Sequence, residues 1–166
     1  MSRTPDAVDR IIEQWRRERP DLPLQAMALL GRLQRASHLL GPMLGREFER
    51  FGLSAGEFDV LATLRRSGAP FVLSPTALYA TLMISSGTMT HRLKLLEQRG
   101  LVERLPNPED SRSLLVRLSD SGHALIDEAV GAHTANEEQL LAGMDATDRA
   151  ALEQGLRALL AQWEPE

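Results

Sequence analysis

The chain contains no cysteine among its 166 residues. That absence excludes a disulfide scaffold, a zinc site built on thiolates, a thiol nucleophile and a thiol redox switch. The sequence also has no apolar run near the roughly 18–20 residues that a membrane span needs. Its first residues mix acids with arginines and contain no hydrophobic signal region. We therefore expect a cytoplasmic protein that does not contact a membrane.

Motifs that would indicate an enzyme are also missing. The sequence has no glycine-rich phosphate loop, no nucleophile elbow and no clustered pair of carboxylates. Its histidines do not follow the spacing of metal ligands; they are His38, His91, His123 and His133. We therefore expect no catalytic residue, no metal and no cofactor.

Charge is unevenly distributed along the chain. The net charge is −4, yet residues 1–50 and 51–118 each carry +2, and residues 119–166 carry −8. Such asymmetry favours one part that faces a polyanion and another part with a different role. The alternative is that the acidic end is simply a solvated helix face.

Two helices are predicted before residue 50. Thr4-Pro5 reads as an N-cap followed by proline in the first turn, and a stripe of apolar residues then runs to Trp15 and ends before Pro20. A second helical pattern extends from Asp21 to about Arg50. Gly41-Pro42 lies inside this pattern and is expected to kink or split it.

A helix-turn-helix is predicted in the middle of the chain. Ser54 opens a capping box for a helix that runs to about Arg66. Ser74-Pro75 begins a short helix, and Ser85 or Ser86 begins the next one, which Gly100 ends. Two helices separated by so few residues are typical of a helix-turn-helix.

A two-stranded hairpin and two long helices complete the pattern. Apolar side chains stand at 101, 102 and 105 and at every second position from 114 to 118, around a tip rich in turn residues. Ser119 and Asp145 or Thr147 then begin the last two helices. The predicted fold is mainly α with a small β-wing: a winged helix-turn-helix whose terminal helices form a dimerisation domain. The predicted regions are an added N-terminal helix (1–20), a helical dimerisation region (21–50 and 120–166) and a DNA-binding lobe (51–119). The apolar stripe of the last helix is the predicted homodimer contact; it comprises Leu152, Leu156, Leu159 and Leu160.

Four segments resemble the MarR family of dimeric transcriptional regulators: SSGTMTHRL (85–93), LEQRGLVER (96–104), NPEDSR (107–112) and VRLS (116–119). The resemblance extends from about residue 24 to 163 and preserves the order of every element. It implies a homodimer, mostly acting as a repressor, that binds a pseudo-palindrome in double-stranded DNA.

Two groups of residues would contact that DNA. The polar side of the recognition helix offers hydroxyls for phosphates and longer side chains for base edges. Arg112, at the tip of the wing, would enter the minor groove and Asp110 would orient it. The alternatives are helix capping, solvation and a surface ion pair. The candidates on the helix are Ser85, Ser86, Thr88, Thr90, His91 and Lys94.

A narrower resemblance, to the urate-responsive PecS/HucR-like branch, implies a ligand site. Its residues here are Trp15, Asp59, Arg66, Arg92 and Arg104. Asp59 and Arg66 are seven residues apart, so they share a helix face, and arginines beside an acid suit a planar anion. The implied ligand is a small planar aromatic or purine-like anion such as urate. A structural ion pair, a different aromatic acid, or DNA binding without a ligand remain alternatives.

Overall fold

The structure, a computed structural model, describes residues 4–82, 89–109 and 113–164. These residues fall into two compact units. We call the one that ends at Arg46 the N-terminal unit and the one that begins at Glu47 the C-terminal unit.

The N-terminal unit consists of α1 (Ala7–Glu18) and most of α2 (Gln25–Arg50). Its small core is formed by Val8, Ile12 and Leu24, which are all buried. The apolar stripe predicted for the first helix therefore does pack, through Val8 and Ile12, whereas Trp15 is 41% exposed.

The start of α1 differs from the sequence prediction. Asp6, rather than Thr4, is the N-cap, and it forms a capping box with Asp9. Arg32 on α2 donates to both carboxylates, at 2.8 Å to Asp6 Oδ2 and 2.5 Å to Asp9 Oδ1. Two hydrogen-bonding carboxylates, each charged, satisfy the free N–H groups of the first turn better than a threonine hydroxyl does.

The helix α2 continues through Pro42 without a break. Gly41-Pro42 therefore does not split the helix, and the other expected effect, a kink, stays a prediction. Proline removes a single main-chain hydrogen bond, and the remaining bonds hold the helix together on both sides.

After the end of α2, the C-terminal unit contains the helices of the predicted helix-turn-helix: α3 (Ala55–Arg66), α4 (Pro75–Thr81) and α5 (Met89–Gln98). Ser54 caps α3 in a capping box with Glu57, and Ser74 caps α4 with Pro75 in the first turn, both as predicted. Gly100 follows α5 with φ of 68°, in the left-handed region.

The wing is a three-stranded antiparallel sheet in the order β1-β3-β2. The predicted hairpin is present as β2 (Val102–Pro106) and β3 (Leu114–Leu118). The strand β1 (Val72–Leu73) adds to the outer side of β3. The sequence did not predict β1, because a strand of two residues is too short to show an alternating pattern.

The last two helices are α6 (Asp120–Leu140) and α7 (Ala146–Leu160). Arg65 at the end of α3 pairs with Asp127 on α6, at 2.7 Å, and holds the pKa of that carboxyl below its ordinary value. The fold is thus mostly helical with a small sheet, as predicted. Within the described ranges, no helix is long and apolar enough to cross a membrane.

Candidate nucleic-acid interface

The helix α5 has three distinct faces. Leu93 and Leu96 are buried in the core of the C-terminal unit. Thr90, His91 and Lys94 lie within one exposed sector on the opposite side. This sector carries a hydroxyl, an imidazole and an ammonium group, which are suited to phosphates and base edges.

Between those two faces, arginine side chains fix α5 to the start of α3. Arg99 Nη1 donates to the carbonyl oxygen of Gly52 at 2.9 Å and to Glu57 Oε1 at 3.3 Å. The other carboxylate oxygen of Glu57 accepts from the backbone N–H of Ser54 at 2.8 Å and from its hydroxyl at 2.7 Å. The capping box of α3 is therefore also an anchor for α5.

Burial and hydrogen bonding shift the pKa of the Glu57 carboxyl in opposite directions. Desolvation raises the pKa of this carboxyl, but the hydrogen bonds from Ser54 and the charge of Arg99 outweigh it, so the pKa is lowered. Glu57 is therefore held in the ionised form, in which it can serve both partners.

An ion pair also connects the wing to α5. Arg104 on β2 lies 3.2 Å from Glu97 on α5, measured between Nε and Oε2. Glu103 and Arg117 form a further ion pair across β2 and β3, where they are directly opposite in register. The wing and α5 are thus linked by charge as well as by the chain.

The base of the wing tip is closed by side chains. Asn107 Nδ2 donates to Ser113 Oγ at 2.8 Å, and Asn107 Oδ1 accepts from the N–H of Glu109 at 3.0 Å. The predicted tip contacts Asp110 and Arg112 lie outside the described residues. The predicted DNA contacts Ser85, Ser86 and Thr88 also lie outside the described residues.

Four of the predicted ligand residues lie in the C-terminal unit. Asp59 is buried, with 7% of its surface exposed. Arg66 is exposed and donates to the carbonyl oxygen of Thr81 at 2.5 Å. The Arg92 guanidinium packs on Gly56, and Arg104 pairs with Glu97 as described above. Trp15 belongs to the N-terminal unit, on α1.

The helix α7 buries none of its side chains fully. Leu152 and Leu160 are 47% and 48% exposed, and Leu156 and Leu159 are half-buried. Four leucines at helical spacing thus leave an apolar face on α7 that the described part of the chain covers only partly.

The sequence did not predict the contacts of several residues that build this site. Arg99 lies in one of the segments that resemble the family, and Glu57 lies in the capping box of α3, but neither pattern predicts the ion pair between them. An arginine seven residues after Arg92, and therefore on the same helix face, was the available signal for its role. Gly56 gave no signal, because the reason for a glycine there is the side chain that packs on it.

Comparison with known proteins decides the family. A model of the MarR family matches residues 51–113. The HTH-type transcriptional regulator PecS of Dickeya dadantii (strain 3937) is 43% identical over 157 residues, which are 95% of this chain and 92% of PecS. This chain belongs to the MarR family. It is a DNA-binding transcriptional regulator rather than an enzyme, and the similarity to PecS agrees with the branch that the sequence indicated.

Solved structures of MarR-family regulators have the same fold. A mutant MarR from E. coli complexed with operator DNA is 27% identical, with a TM-score of 0.70, and the match covers 84% of this chain and 99% of that one. BpsR of Bordetella bronchiseptica, studied for regulation of its DNA binding by 6-hydroxynicotinic acid, is 25% identical, with a TM-score of 0.67. That match covers 78% of this chain and 91% of BpsR.

Proposed function

We propose that this protein is a cytoplasmic repressor that binds a pseudo-palindromic operator as a homodimer and is released by a small planar anion. In this proposal α5 enters the major groove and the wing tip, with Arg112, enters the adjacent minor groove. The observation that carries the proposal is the exposed sector of α5, where Thr90, His91 and Lys94 have no packing role.

The homodimer is proposed from apolar faces that are exposed in the single chain. On α2, one face carries four leucines separated by three, seven and four residues: Leu30, Leu33, Leu40 and Leu44. Leu30 and Leu33 on this face are 47% and 37% exposed. On α7, the face with Leu152 and Leu156 is similarly uncovered. A second copy would bury both faces, since a symmetric interface uses the same patches twice.

A symmetric dimer fits a pseudo-palindromic operator. Its two copies of α5 would read two half-sites about one helical turn, roughly 34 Å, apart. The spacing of the two α5 helices then determines whether both can bind at once, which makes that spacing the natural target of a regulating ligand.

The ligand is proposed to use Trp15, Asp59, Arg66 and Arg92 or Arg104. Arginine binds planar carboxylates and similar anions through paired N–H groups, and a carboxylate such as Asp59 can accept a ring N–H. BpsR, whose DNA binding is regulated by 6-hydroxynicotinic acid, supports a planar aromatic acid as the ligand class. Urate and aromatic acids share this chemistry.

Competition for arginines gives a route for release. Arg66 donates to the end of α4, Arg92 packs on the start of α3, and Arg104 pairs with Glu97 of α5. Arg66 would hold the anion, and an anion that also recruits Arg92 or Arg104 withdraws that guanidinium from a contact that positions α5 or the wing. A coupling of about 1–3 kcal/mol between ligand and DNA would be enough for regulation.

Operator binding is tested with a DNA duplex selected by the wild-type protein from a random pool. Fluorescence anisotropy should give saturable binding that weakens steeply as salt rises, because phosphate contacts release counterions. Lys94→Ala should weaken this binding, whereas Lys94→Arg should retain most of it. Failure to select any duplex over the starting pool contradicts the proposal.

Ligand release is tested on the protein–duplex complex with urate, xanthine, salicylate and 6-hydroxynicotinate. At least one should lower the bound fraction, and the identity of that compound decides between a purine and an aromatic acid. Asp59→Asn and Arg66→Ala should each keep DNA binding and lose the response. If all four compounds leave the wild-type complex intact, or if both variants respond normally, the proposed ligand site is wrong. The protein would then bind DNA without using this site for a ligand.

A further inference from the structure

Gly56 in the first turn of α3 is packed against an arginine of the recognition helix. A Cβ atom at Gly56 would lie 2.5 Å from both Cζ and Nε of Arg92, and 2.9 Å from its Nη2. Atoms do not approach this closely, so the guanidinium occupies space that exists only because residue 56 has no side chain.

Backbone conformation does not explain this glycine. Gly52, Gly68 and Gly100 have positive φ values, which L-residues rarely adopt, but Gly56 is an ordinary helical residue. Alanine would be the better helix former at such a position. The reason for glycine is therefore the recess that it leaves for Arg92.

The recess and the Glu57 anchor act on the same side of α5. Arg92 and Arg99 are seven residues apart, two turns of the helix, and both reach the first turns of α3. Arg99 holds the C-terminal end of α5, and Arg92 is the matching contact near its N-terminal end. Two contacts along one face prevent the helix from rotating about its own axis.

Rotation matters because of what α5 exposes. Thr90 and His91 immediately precede Arg92, and Lys94 follows two residues later, so a rotation of α5 moves all three together. A turn of a few tens of degrees would take side chains out of reach of base edges, since hydrogen bonds weaken steeply with angle and distance.

We propose that Gly56 is a positioning residue for DNA recognition: its recess seats the Arg92 guanidinium and so fixes the rotation of α5. This inference rests on the proposed use of α5 for reading the operator. It assigns Arg92, in the DNA-bound protein, to the interior contact with α3 and not to a DNA phosphate.

The test is a double-mutant cycle on operator affinity, using the duplex selected by the wild-type protein. In Gly56→Ala the new methyl group displaces the flexible end of Arg92, so the protein still folds, but affinity should fall by about five- to thirtyfold. Arg92→Ala should give a similar loss, and adding Gly56→Ala to it should cause no further loss, because the recess is then empty.

Two readouts separate positioning from other roles. The slope of affinity against salt should stay at the wild-type value in Arg92→Ala, because no phosphate contact is lost. Binding to a non-specific duplex should change little. The control is Gly131→Ala on α6, where nothing lies within 4 Å of the added Cβ; it should leave affinity unchanged.

Other outcomes overturn the proposal. Wild-type affinity in Gly56→Ala, or losses that add in the double variant, would show that the recess does not act through Arg92. A salt slope reduced by about one charge in Arg92→Ala would show a phosphate contact instead. If Gly56→Ala does not fold, as judged by circular dichroism, the affinity and salt slope of Arg92→Ala decide alone. Binding of the wild-type protein to the selected duplex tests the proposed function separately. If the wild type binds and the variants do not behave as expected, only the role of Gly56 is wrong.

Discussion

The two compact units bury apolar residues to very different extents. Among the described residues, the N-terminal unit buries three apolar side chains, while eight large ones are exposed, mostly along α2. The C-terminal unit buries fifteen and exposes six. One unit has a core that can support a fold by itself, and the other has too little core for its length, so it needs further packing.

The elements that form the core and the elements that expose apolar faces have different proposed tasks. The core of the C-terminal unit holds α3, α5 and the wing; we propose that α5 and the wing bind the operator, and ion pairs link α5 to α3 and to the wing. The exposed faces of α2 and α7 belong to the parts of the chain that we propose for dimerisation. Substitutions in each set of elements test that division, and the largest effect is expected at the proposed dimer interface.

The first prediction is that acidic residues on the exposed apolar faces dissociate the homodimer. Leu156→Asp on α7 and Leu30→Asp on α2 would each bury an unpaired carboxylate in the proposed interface, at a cost of about 3–5 kcal/mol. The dimer dissociation constant should rise more than about a hundredfold. Sedimentation velocity over a concentration series measures this constant.

A variant on the wing serves as the control for dissociation. Leu114 on β3 is 43% exposed, close to the 47% of Leu30, but lies outside the proposed interface. Leu114→Asp should sediment as the wild type does. If only one of the two interface variants dissociates, the helix that carries the substitution forms the interface. If both variants remain dimeric, the interface lies on another part of the chain.

The second prediction concerns the core of the C-terminal unit. Leu61 on α3 has no exposed surface, so Leu61→Ala leaves a cavity and should lower the free energy of unfolding by about 2–5 kcal/mol. Leu114→Ala, the same change at an exposed site, should stay within about 0.5 kcal/mol. Urea denaturation monitored by circular dichroism compares them. Equal losses would contradict the distinction between the two sites.

The third prediction separates the tip of the wing from its strands. Arg112→Ala should lower operator affinity by about five- to thirtyfold and leave thermal stability unchanged, since the proposed contact is with the minor groove. Arg117→Ala is the matched control, because Arg117 in the same hairpin already pairs with Glu103. Anisotropy with the selected duplex should rank these two variants; unchanged affinity in Arg112→Ala would remove the tip from the interface.

The sequence predicted the parts of the fold that depend on local patterns. Ser54, Ser74 and Ser119 were identified as N-caps because a hydroxyl before an apolar helical pattern is itself the capping group. The hairpin was predicted because two apolar-rich segments, 101–105 and 114–118, lie on either side of a tip rich in turn residues. The strand β1 was missed, since Val72–Leu73 is defined only by pairing with a distant strand.

The candidate site was predictable in its residue types but not in its contacts. The exposed face of α5 follows from helical periodicity, which placed Thr90, His91 and Lys94 together. That Arg92 packs on Gly56, and that Arg99 reaches Glu57 across 42 residues of sequence, are tertiary contacts without a local signal. The same holds for the arginines predicted to bind the ligand. No sequence pattern predicts the contacts that Arg66, Arg92 and Arg104 make in the structure.

The smallest effect is expected at the capping boxes, which occur in both units with different environments. Asp6 and Asp9 form the box of α1 on an exposed surface, and Ser54 and Glu57 form the box of α3, where Glu57 is buried. The pKa of Glu57 is lowered, despite a burial effect that raises it, by hydrogen bonds from Ser54 and by Arg99. The stability that this carboxylate contributes is therefore present above its unfolded pKa and is lost as pH falls through the lower folded value.

Comparing Glu57→Gln with the wild type over pH 2.5–7 isolates this contribution. At pH 7 the variant should be less stable by about 1 kcal/mol, the usual effect of a lost cap interaction. The difference should shrink as pH falls below about 4, because the wild-type carboxyl then becomes neutral as well. Asp9→Asn, on the exposed box, should show a smaller difference at every pH, because solvent screens its charge. A Glu57→Gln difference that stays constant with pH would mean that the side chain stabilises α3 by packing and not by its charge.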